Sequence, residues 1–214
     1  MFIDLRQRIN RIIIKLSYRF GISHLWSLPK KLAIDPTNHC DLKCPLCPTG
    51  LDDKTVTRGL MKLDQFKSVI DHLGAWLQSV DIYSWGEPLL NKSFVEMIRH
   101  SATDHNIRTI TSLHLNNLSD EHVEGLVTSG LDKLIVSVDG ATQKVYEQYR
   151  VEGNIEKVFG NMKRLVSAKA MHNSKLQIVW NFLVMKQNEH QIDLARERAK
   201  EIGVDITFSV MRTN

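Results

Sequence analysis

Residues 32–48 read LAIDPTNHCDLKCPLCP, a short apolar run followed by a polar loop that contains every cysteine of the 214-residue chain. Cys40, Cys44 and Cys47 have the spacing C-x3-C-x2-C. Thiolates bind zinc and iron–sulfur clusters strongly. Because an odd, tightly clustered set of cysteines makes a poor disulfide framework, we interpret this loop as a metal site in a reducing compartment.

Short apolar runs alternate with helical patterns along the rest of the chain. They predict strands at residues 32–35, 80–84, 107–112, 134–138, 176–185 and 204–210. This alternation indicates an α/β fold with parallel strands and right-handed crossovers. Six strands leave two architectures open, a doubly wound sheet and a partial (β/α)6 barrel of the TIM type. In both, ligands bind at the carboxyl ends of the strands, where the cysteine loop is expected.

Apolar stripes at helical spacing predict the helices between these strands. The stripes cover residues 63–77, 94–102, 123–127, 155–166 and 192–202. We expect Ser119 to cap the third helix and Gly203 to end the fifth.

The chain is predicted to divide at Pro29-Lys30. Residues 1–29 form a basic amphipathic helix and linker, and residues 30–214 form the main domain. We expect the helix to pack on the outside of the main domain, and binding to a membrane surface or a partner stays open. Its apolar stripe and its basic residues are Leu5, Ile9, Ile12, Ile13, Leu16 and Phe20, and Arg6, Arg8, Arg11, Lys15 and Arg19.

Charge and hydropathy exclude two function classes. The chain has 28 Lys and Arg against 24 Asp and Glu, a net charge of +4 that is spread along the sequence, so no nucleic-acid partner is expected. No apolar run is long enough for a transmembrane segment, and no signal-peptide pattern is present. We therefore expect a cytoplasmic protein.

Three thiolates suit a four-iron cluster that keeps one iron open. A cubane has four metal corners, so three cysteines leave one iron free to bind another molecule. The alternative is zinc held by the three cysteines and His39, a known zinc ligand set. Because His39 is adjacent to Cys40, tetrahedral closure would need a distorted turn. The remaining histidines show no metal-like pairing and are interpreted as surface or core residues; they are His24, His72, His100, His105, His114, His122, His172 and His190.

The motif C-x3-C-x-Φ-C after a first strand resembles the signature of the radical S-adenosylmethionine (SAM) superfamily. Leu46 occupies the Φ position, where the family more often has an aromatic residue. The resemblance implies a partial (β/α)6 barrel and a 4Fe-4S cluster whose open iron chelates the amino and carboxylate groups of SAM. It also implies reductive cleavage of SAM to a 5′-deoxyadenosyl radical, hydrogen abstraction from a substrate, and a flavodoxin or ferredoxin as one-electron donor.

Trp85, Gly86, Glu87 and Pro88 follow the second predicted strand and resemble the family's GGEP motif, with Trp85 in place of the first glycine. In the family this loop receives the amino group of SAM. A carboxylate and exposed carbonyl groups suit an amine, which offers donors and no free acceptor. We assign this contact to Glu87.

Ser137 and Asp139 have alternate spacing at the end of the fourth predicted strand, so both can face the same side. Their position resembles the family's contact to the SAM ribose, and a helix cap by Asp139 is the alternative. Arg150 resembles an arginine that meets the SAM carboxylate in related proteins, a group that a guanidinium fits well. A surface position for Arg150 is the other interpretation.

Thr111-Ser112 and Asn181 lie in the third and fifth predicted strands. A polar side chain in a buried strand needs partners, so Asn181 either lines the cavity or bonds neighbouring backbone.

The leading hypothesis is a radical SAM enzyme that acts on an unidentified peptide or small molecule. The alternatives are a zinc-stabilised binding module without SAM chemistry and a degenerate barrel that acts as a scaffold. Many similar proteins carry a C-terminal SPASM or twitch extension with further cysteines. This sequence has none, so we expect either a fragment or an enzyme with one cluster.

Overall fold

The computed structural model describes residues 5–23 and 26–211. Six strands form one sheet in the order β1-β2-β3-β4-β5-β6, and every neighbouring pair is parallel. The strands are β1 Lys31–Ile34, β2 Ser79–Ile82, β3 Arg108–Leu113, β4 Lys133–Ser137, β5 Gln177–Val184 and β6 Asp205–Val210.

The strand order decides between the two predicted architectures. A doubly wound sheet reverses its strand order at a switch point. Here each strand pairs with the next one along the chain, which is the arrangement of a partial (β/α)6 barrel. The helices are α1 Leu5–Arg19, α2 Leu63–Leu73, α3 Phe94–Arg99, α4 Asp120–Thr128, α5 Gln143–Tyr146, α6 Ile155–Met171 and α7 Ile192–Ile202.

Alternation along the central strands separates the core from the barrel interior. In β4, Leu134 and Val136 are fully buried, whereas Ser137 lines an internal cavity. In β5, the ring of Trp180 lies 5.3 Å from the ring of Phe159 in α6. Successive side chains of a strand point to opposite faces. The strands therefore present apolar side chains to the helices and a mixture of polar and apolar side chains to the interior.

The six predicted strands are confirmed, and their boundaries agree to within two residues. Ser119 caps α4, because its hydroxyl accepts a hydrogen bond from the main-chain N–H of His122 at 3.1 Å. Gly203 ends α7 with a φ of 86°, a left-handed conformation that glycine adopts readily.

Two helix predictions differ from the structure: one extends past the end of its helix, and the other covers two helical segments of different type. Trp76 and Leu77 lie beyond the end of α2, in turns closed by bonds to the carbonyls of Leu73 and Gly74. The predicted helix at 94–102 is α3 followed by one π-helical turn over His100–Asp104.

Helix α1 contacts the main domain through polar side chains. Gln7 Nε2 donates to the carbonyl of Leu77 in the main domain at 2.9 Å, whereas the Asn10 side chain makes two hydrogen bonds with the main chain of Leu28 in the linker. Five residues of the predicted apolar stripe, Leu5, Ile9, Ile12, Leu16 and Phe20, are exposed, and the sixth, Ile13, is partly buried. Helix α1 thus contacts the main domain as predicted, but most of its apolar stripe faces solvent. None of the helices within the described ranges has the length and hydropathy required to cross a bilayer.

Candidate functional site

The cysteine loop begins after β1 and lies at the carboxyl ends of the strands. Cys44 is buried, whereas Cys40 and Cys47 are partly exposed, and all three are free thiols. The main-chain N–H of Cys47 donates to the carbonyl of Cys44 at 3.1 Å, which closes a turn between them. All three cysteines line one cavity of about 250 Å³.

Arg58 holds this loop in place from the segment that follows it. Its guanidinium donates to the carbonyls of Asn38, Pro48 and Thr49 at 2.8 to 3.3 Å. It also donates to the Thr49 hydroxyl at 3.2 Å. One arginine thus joins both ends of the cysteine loop, and the sequence patterns did not single it out.

The turn at Trp85-Gly86-Glu87 packs directly on the cysteine loop. The main-chain N–H of Glu87 donates to the carbonyl of His39 at 2.8 Å, and that of Trp85 donates to Asp35 Oδ2 at 3.1 Å. A Cβ on Gly86 would lie 2.9 Å from the carbonyl oxygen of His39. Trp85 is exposed. Pro88 is buried and begins a 3-10 turn, Pro88–Leu90.

Glu87 is buried, with 3% of its surface exposed, and it lines the cavity with the cysteines. Its Oε2 accepts the main-chain N–H of His114 at 3.0 Å. Its Oε1 is buried and has no hydrogen-bond partner among the described residues. Burial raises the pKa of Glu87. A buried acceptor of this kind fits a ligand that brings an ammonium group.

His114 is a second site residue that the sequence patterns missed. Its Nε2 lies 2.7 Å from Asp41 Oδ1 and 3.2 Å from Glu87 Oε2. The main-chain N–H of Asn116 donates to its Nδ1 at 3.1 Å, so Nε2 carries the proton that faces the carboxylates. The hydrogen bond from His114 lowers the pKa of Asp41. The ring therefore links the residue after Cys40 to Glu87 in the loop that follows β2, and the place of His114 directly after β3 was the available signal.

Arg150 and Asp139 form a buried ion pair beside the cysteines. Arg150 Nε lies 2.6 Å from Asp139 Oδ2, with side-chain exposures of 18% and 0%. Arg150 Nη1 lies 3.9 Å from Cys44 Sγ, and Asp139 Oδ1 accepts the main-chain N–H of Leu183 at 2.8 Å. Arg150 is thus not a surface residue. Asp139 does not cap a helix, since Thr142 holds that position before α5.

The structure brings most of the predicted site residues to the same cavity. Ser137 Oγ lies 3.1 Å from Ser112 Oγ, and both line it. Asp139 lies behind Arg150 and is not part of the lining, so its contact with a ribose stays a prediction. The predicted residues that line this cavity are Cys40, Cys44, Leu46, Cys47, Trp85, Gly86, Glu87, Ser112, Ser137 and Arg150.

Asn181 lines a second cavity of about 480 Å³ deeper in the barrel. Tyr83, Ser112 and Ser137 line both cavities. Asn181 Oδ1 accepts a hydrogen bond from the Ser209 hydroxyl at 3.0 Å. Thr111 is fully buried and donates to the carbonyl of Ile82, so its role is structural.

Two compact sets of metal-ligating side chains occur among the described residues. One is Cys40, Asp41 and His114, and the other is Asp71, His100 and His105. His39, the fourth ligand of the zinc alternative, belongs to neither set. The expectation that the histidines lack metal-like pairing is wrong for His100, His105 and His114, because the fold joins residues that are distant in sequence. His24 lies outside the described residues.

Three comparisons place the chain among known proteins. The family model described as the radical SAM superfamily matches residues 34–193. The AdoMet-dependent heme synthase of Methanosarcina barkeri is 31% identical over 176 residues, which cover 82% of this chain and 48% of that protein. The PqqA peptide cyclase of Rhodopseudomonas palustris is 29% identical over 189 residues, 86% of this chain and 47% of that protein. The chain spans about half the length of these curated relatives.

The fold agrees with solved structures. A crystal structure of Streptococcus suis SuiB bound to S-adenosylmethionine matches with a TM-score of 0.75 and 18% identity, over 95% of this chain and 45% of that one. The residues present also fit the family's cofactors, since three thiols and the unpartnered Oε1 of Glu87 share one cavity. The chain therefore belongs to the radical SAM superfamily, a family of enzymes that use a 4Fe-4S cluster and S-adenosylmethionine.

Proposed function

We propose that Cys40, Cys44 and Cys47 hold a 4Fe-4S cluster in this chain and that the site cleaves SAM reductively to start hydrogen abstraction from a substrate. The observation that carries this proposal is the unpartnered Oε1 of Glu87, which is buried at the cavity that the three thiols line. When bound, the cluster and SAM supply one-electron cleavage and hydrogen-atom abstraction.

Different side chains of the site bind different chemical groups of SAM. Glu87 is the acceptor for the amino group, because its free oxygen is buried where a cation gains most from a carboxylate. Arg150 is the donor for the SAM carboxylate, since Asp139 bonds Nε and leaves part of the guanidinium fork available. Ser137 is the contact for a ribose hydroxyl, with Asp139 acting through Arg150.

Leu46 and Trp85 lie at the mouth of the cavity, with 62% and 56% of their surfaces exposed. In this position they can cover a bound molecule and keep water from the reacting atoms. Tyr83, Ser112 and Asn181 then face the space where a substrate would lie. We assign the catalytic core to residues 30–214 and treat residues 1–29 as a separate extension.

The substrate in this proposal is a peptide or a small molecule. A peptide is favoured by one relative named as a PqqA peptide cyclase and by SuiB, which has a crystal structure with its precursor peptide SuiA. The chemistry also requires a one-electron donor such as a flavodoxin or ferredoxin. A reducing cytoplasm suits the three free thiols.

Anaerobic reconstitution with iron and sulfide, followed by SAM and dithionite, tests the proposal. We expect a brown protein that produces 5′-deoxyadenosine, and no product from the Cys44→Ala variant. Leu51→Ala changes an exposed residue of the same loop and is the matched control, which should keep the activity.

Two results would overturn the proposal. One is a cluster that forms while SAM is neither consumed nor able to change its electron paramagnetic resonance spectrum. The other is a zinc held by the cysteines themselves, seen as zinc that the Cys44→Ala variant no longer binds, with no acid-labile sulfide in deoxygenated material; this would support the zinc-stabilised module instead.

A further inference from the structure

Asp71, His100 and His105 form a cluster at the opposite end of the barrel from the cysteine loop. Asp71 lies in the last turn of α2, which leads into β2. His100 begins the π-helical turn after α3, and His105 follows that turn, ahead of the start of β3 at Arg108. Both segments lead into the amino ends of strands, so the cluster is separate from the radical SAM site.

The three side chains converge on one point. His100 Nε2 and His105 Nε2 each lie 2.8 Å from the same oxygen, Asp71 Oδ1. The ligand atoms of all three residues lie within 4.8 Å of one another. Two imidazole nitrogens and a carboxylate oxygen are a usual set of protein ligands for zinc. Small shifts of the exposed Asp71 side chain would bring this triangle to zinc geometry.

The second ring nitrogen of His100 is also directed at a carboxylate. His100 Nδ1 lies 2.9 Å from Asp104 Oδ2. Protons alone satisfy this arrangement only if His100 donates from both nitrogens, because each faces a carboxylate oxygen. A metal ion at the Nε2 position removes that requirement and leaves Nδ1–H to donate to Asp104. The second ring nitrogen of a metal-ligating histidine commonly donates a hydrogen bond to such a carboxylate.

Packing fixes the two rings. The His100 side chain is only 10% exposed. A Cβ on Gly74 would lie 2.6 Å from His105 Nδ1, so glycine at this position allows the close approach of that ring. The π-helical turn between the histidines sets their relative positions, and such turns are frequent at functional sites.

We propose that Asp71, His100 and His105 bind one divalent ion of the zinc class, with water in the fourth position and Asp104 orienting His100. Imidazole and carboxylate ligands without thiolates favour zinc over an iron–sulfur cluster. The ion joins the end of α2 to the segment before β3. Since it lies away from the cavity of the cysteines, its role is structural.

The test is a zinc titration of the full chain with its cysteines occupied by the 4Fe-4S cluster, followed by elemental analysis for zinc and iron. We expect one zinc per chain in addition to the cluster iron. Asp71→Asn and His105→Ala should each weaken zinc binding at least tenfold, and Asp104→Asn by roughly 10-fold to 100-fold. His72→Ala changes an exposed neighbour of Asp71 and should leave zinc binding unchanged.

A cysteine-free variant distinguishes zinc binding at this site from zinc binding at the cysteine loop. In a Cys40→Ala, Cys44→Ala, Cys47→Ala chain, we expect zinc still to bind and to raise the thermal midpoint, as any ligand of the folded state does. Asp71→Asn should abolish that rise, and circular dichroism checks that the variant is folded. Failure of the cysteine-free chain to bind zinc, or equal binding by Asp71→Asn and His105→Ala, would overturn the proposal.

Discussion

A Cβ placed on Gly86 would lie 1.9 Å from the carbonyl oxygen of Thr37, which is far inside contact distance. The two residues belong to the loops that follow β2 and β1. Because this approach brings Glu87 onto the cysteine loop, the pair of loops behaves as one unit. A side chain at position 86 must force them apart.

Gly86→Ala should therefore destabilise the fold and weaken SAM binding. Overpacking of this kind costs about 1–3 kcal/mol in the free energy of unfolding. Urea unfolding and SAM titration of the cluster-loaded protein measure the two effects. Gly160→Ala in α6 is the control, because a Cβ there meets nothing within 4 Å and should stabilise the helix. An unchanged SAM affinity in Gly86→Ala would show that the loops separate without consequence.

Arg150→Ala should destabilise the protein by about 3–5 kcal/mol, because it leaves the fully buried Asp139 without its cation. Chemical denaturation of the variant measures the loss. Arg198→Ala breaks an exposed pair with Glu201 and should cost less than about 1 kcal/mol. Equal losses in the two variants would contradict a special role for the buried pair.

Glu87→Gln should change stability in a pH-dependent way in the protein without SAM. Burial raises the pKa of Glu87, so the stability that its protonated form provides is lost as the pH rises through the raised pKa. Glutamine does not titrate. Between the ordinary pKa of a glutamate and the raised pKa of Glu87, each pH unit therefore shifts the difference in the free energy of unfolding by about 1.4 kcal/mol in favour of the variant. The same variant should bind SAM more weakly, because it removes a charged acceptor.

Unfolding at pH 5 and pH 8 measures this difference for Glu87→Gln and for Glu197→Gln, which is exposed on α7. A difference that is the same at both pH values for Glu87→Gln would contradict a raised pKa of Glu87 in the folded protein.

Arg58→Ala should loosen the cysteine loop while leaving the barrel folded. Its guanidinium makes four hydrogen bonds to the loop, and each such bond to a charged group contributes about 1.5–3 kcal/mol at most. We expect faster loss of iron to a chelator and a normal circular dichroism spectrum. Lys54→Ala alters an exposed residue of the same segment and should lose iron at the rate of the unchanged protein.

Local sequence patterns were sufficient for the strands and most helices of this fold. Apolar runs and caps act over a few residues, which is why Ser119 and Gly203 could be assigned. Trp76 and Leu77 continue a helical stripe but lie in turns. Apolar residues are needed wherever the chain packs on the core, so their spacing alone does not show where a helix ends. The exposed stripe of α1 shows the same limit, since amphipathic spacing does not say which face contacts the domain.

The candidate site was predicted as far as its motifs extend along the chain. Cysteine spacing and the Gly-Glu-Pro turn identify Cys40, Cys44 and Glu87. His114 and Arg58 have no such motif, and their partners lie up to 73 residues away in sequence. The alignment of neighbouring parallel strands brings His114 to Asp41 and Glu87, whereas the folding of the long connection between β1 and α2 brings Arg58 to the cysteine loop, and short-range spacing encodes neither.

The strand order has a consequence for how the chain acquires its metal. Because each strand pairs with the next one synthesised, the sheet can grow at one edge as the polypeptide leaves the ribosome. The thiols of Cys40 to Cys47 emerge early, whereas His114 and Arg150, which complete their surroundings, are translated later. We expect the loop to stay open until Arg150 has been synthesised. A cofactor can be enclosed only after that point, so its stable insertion follows synthesis of the first four strands.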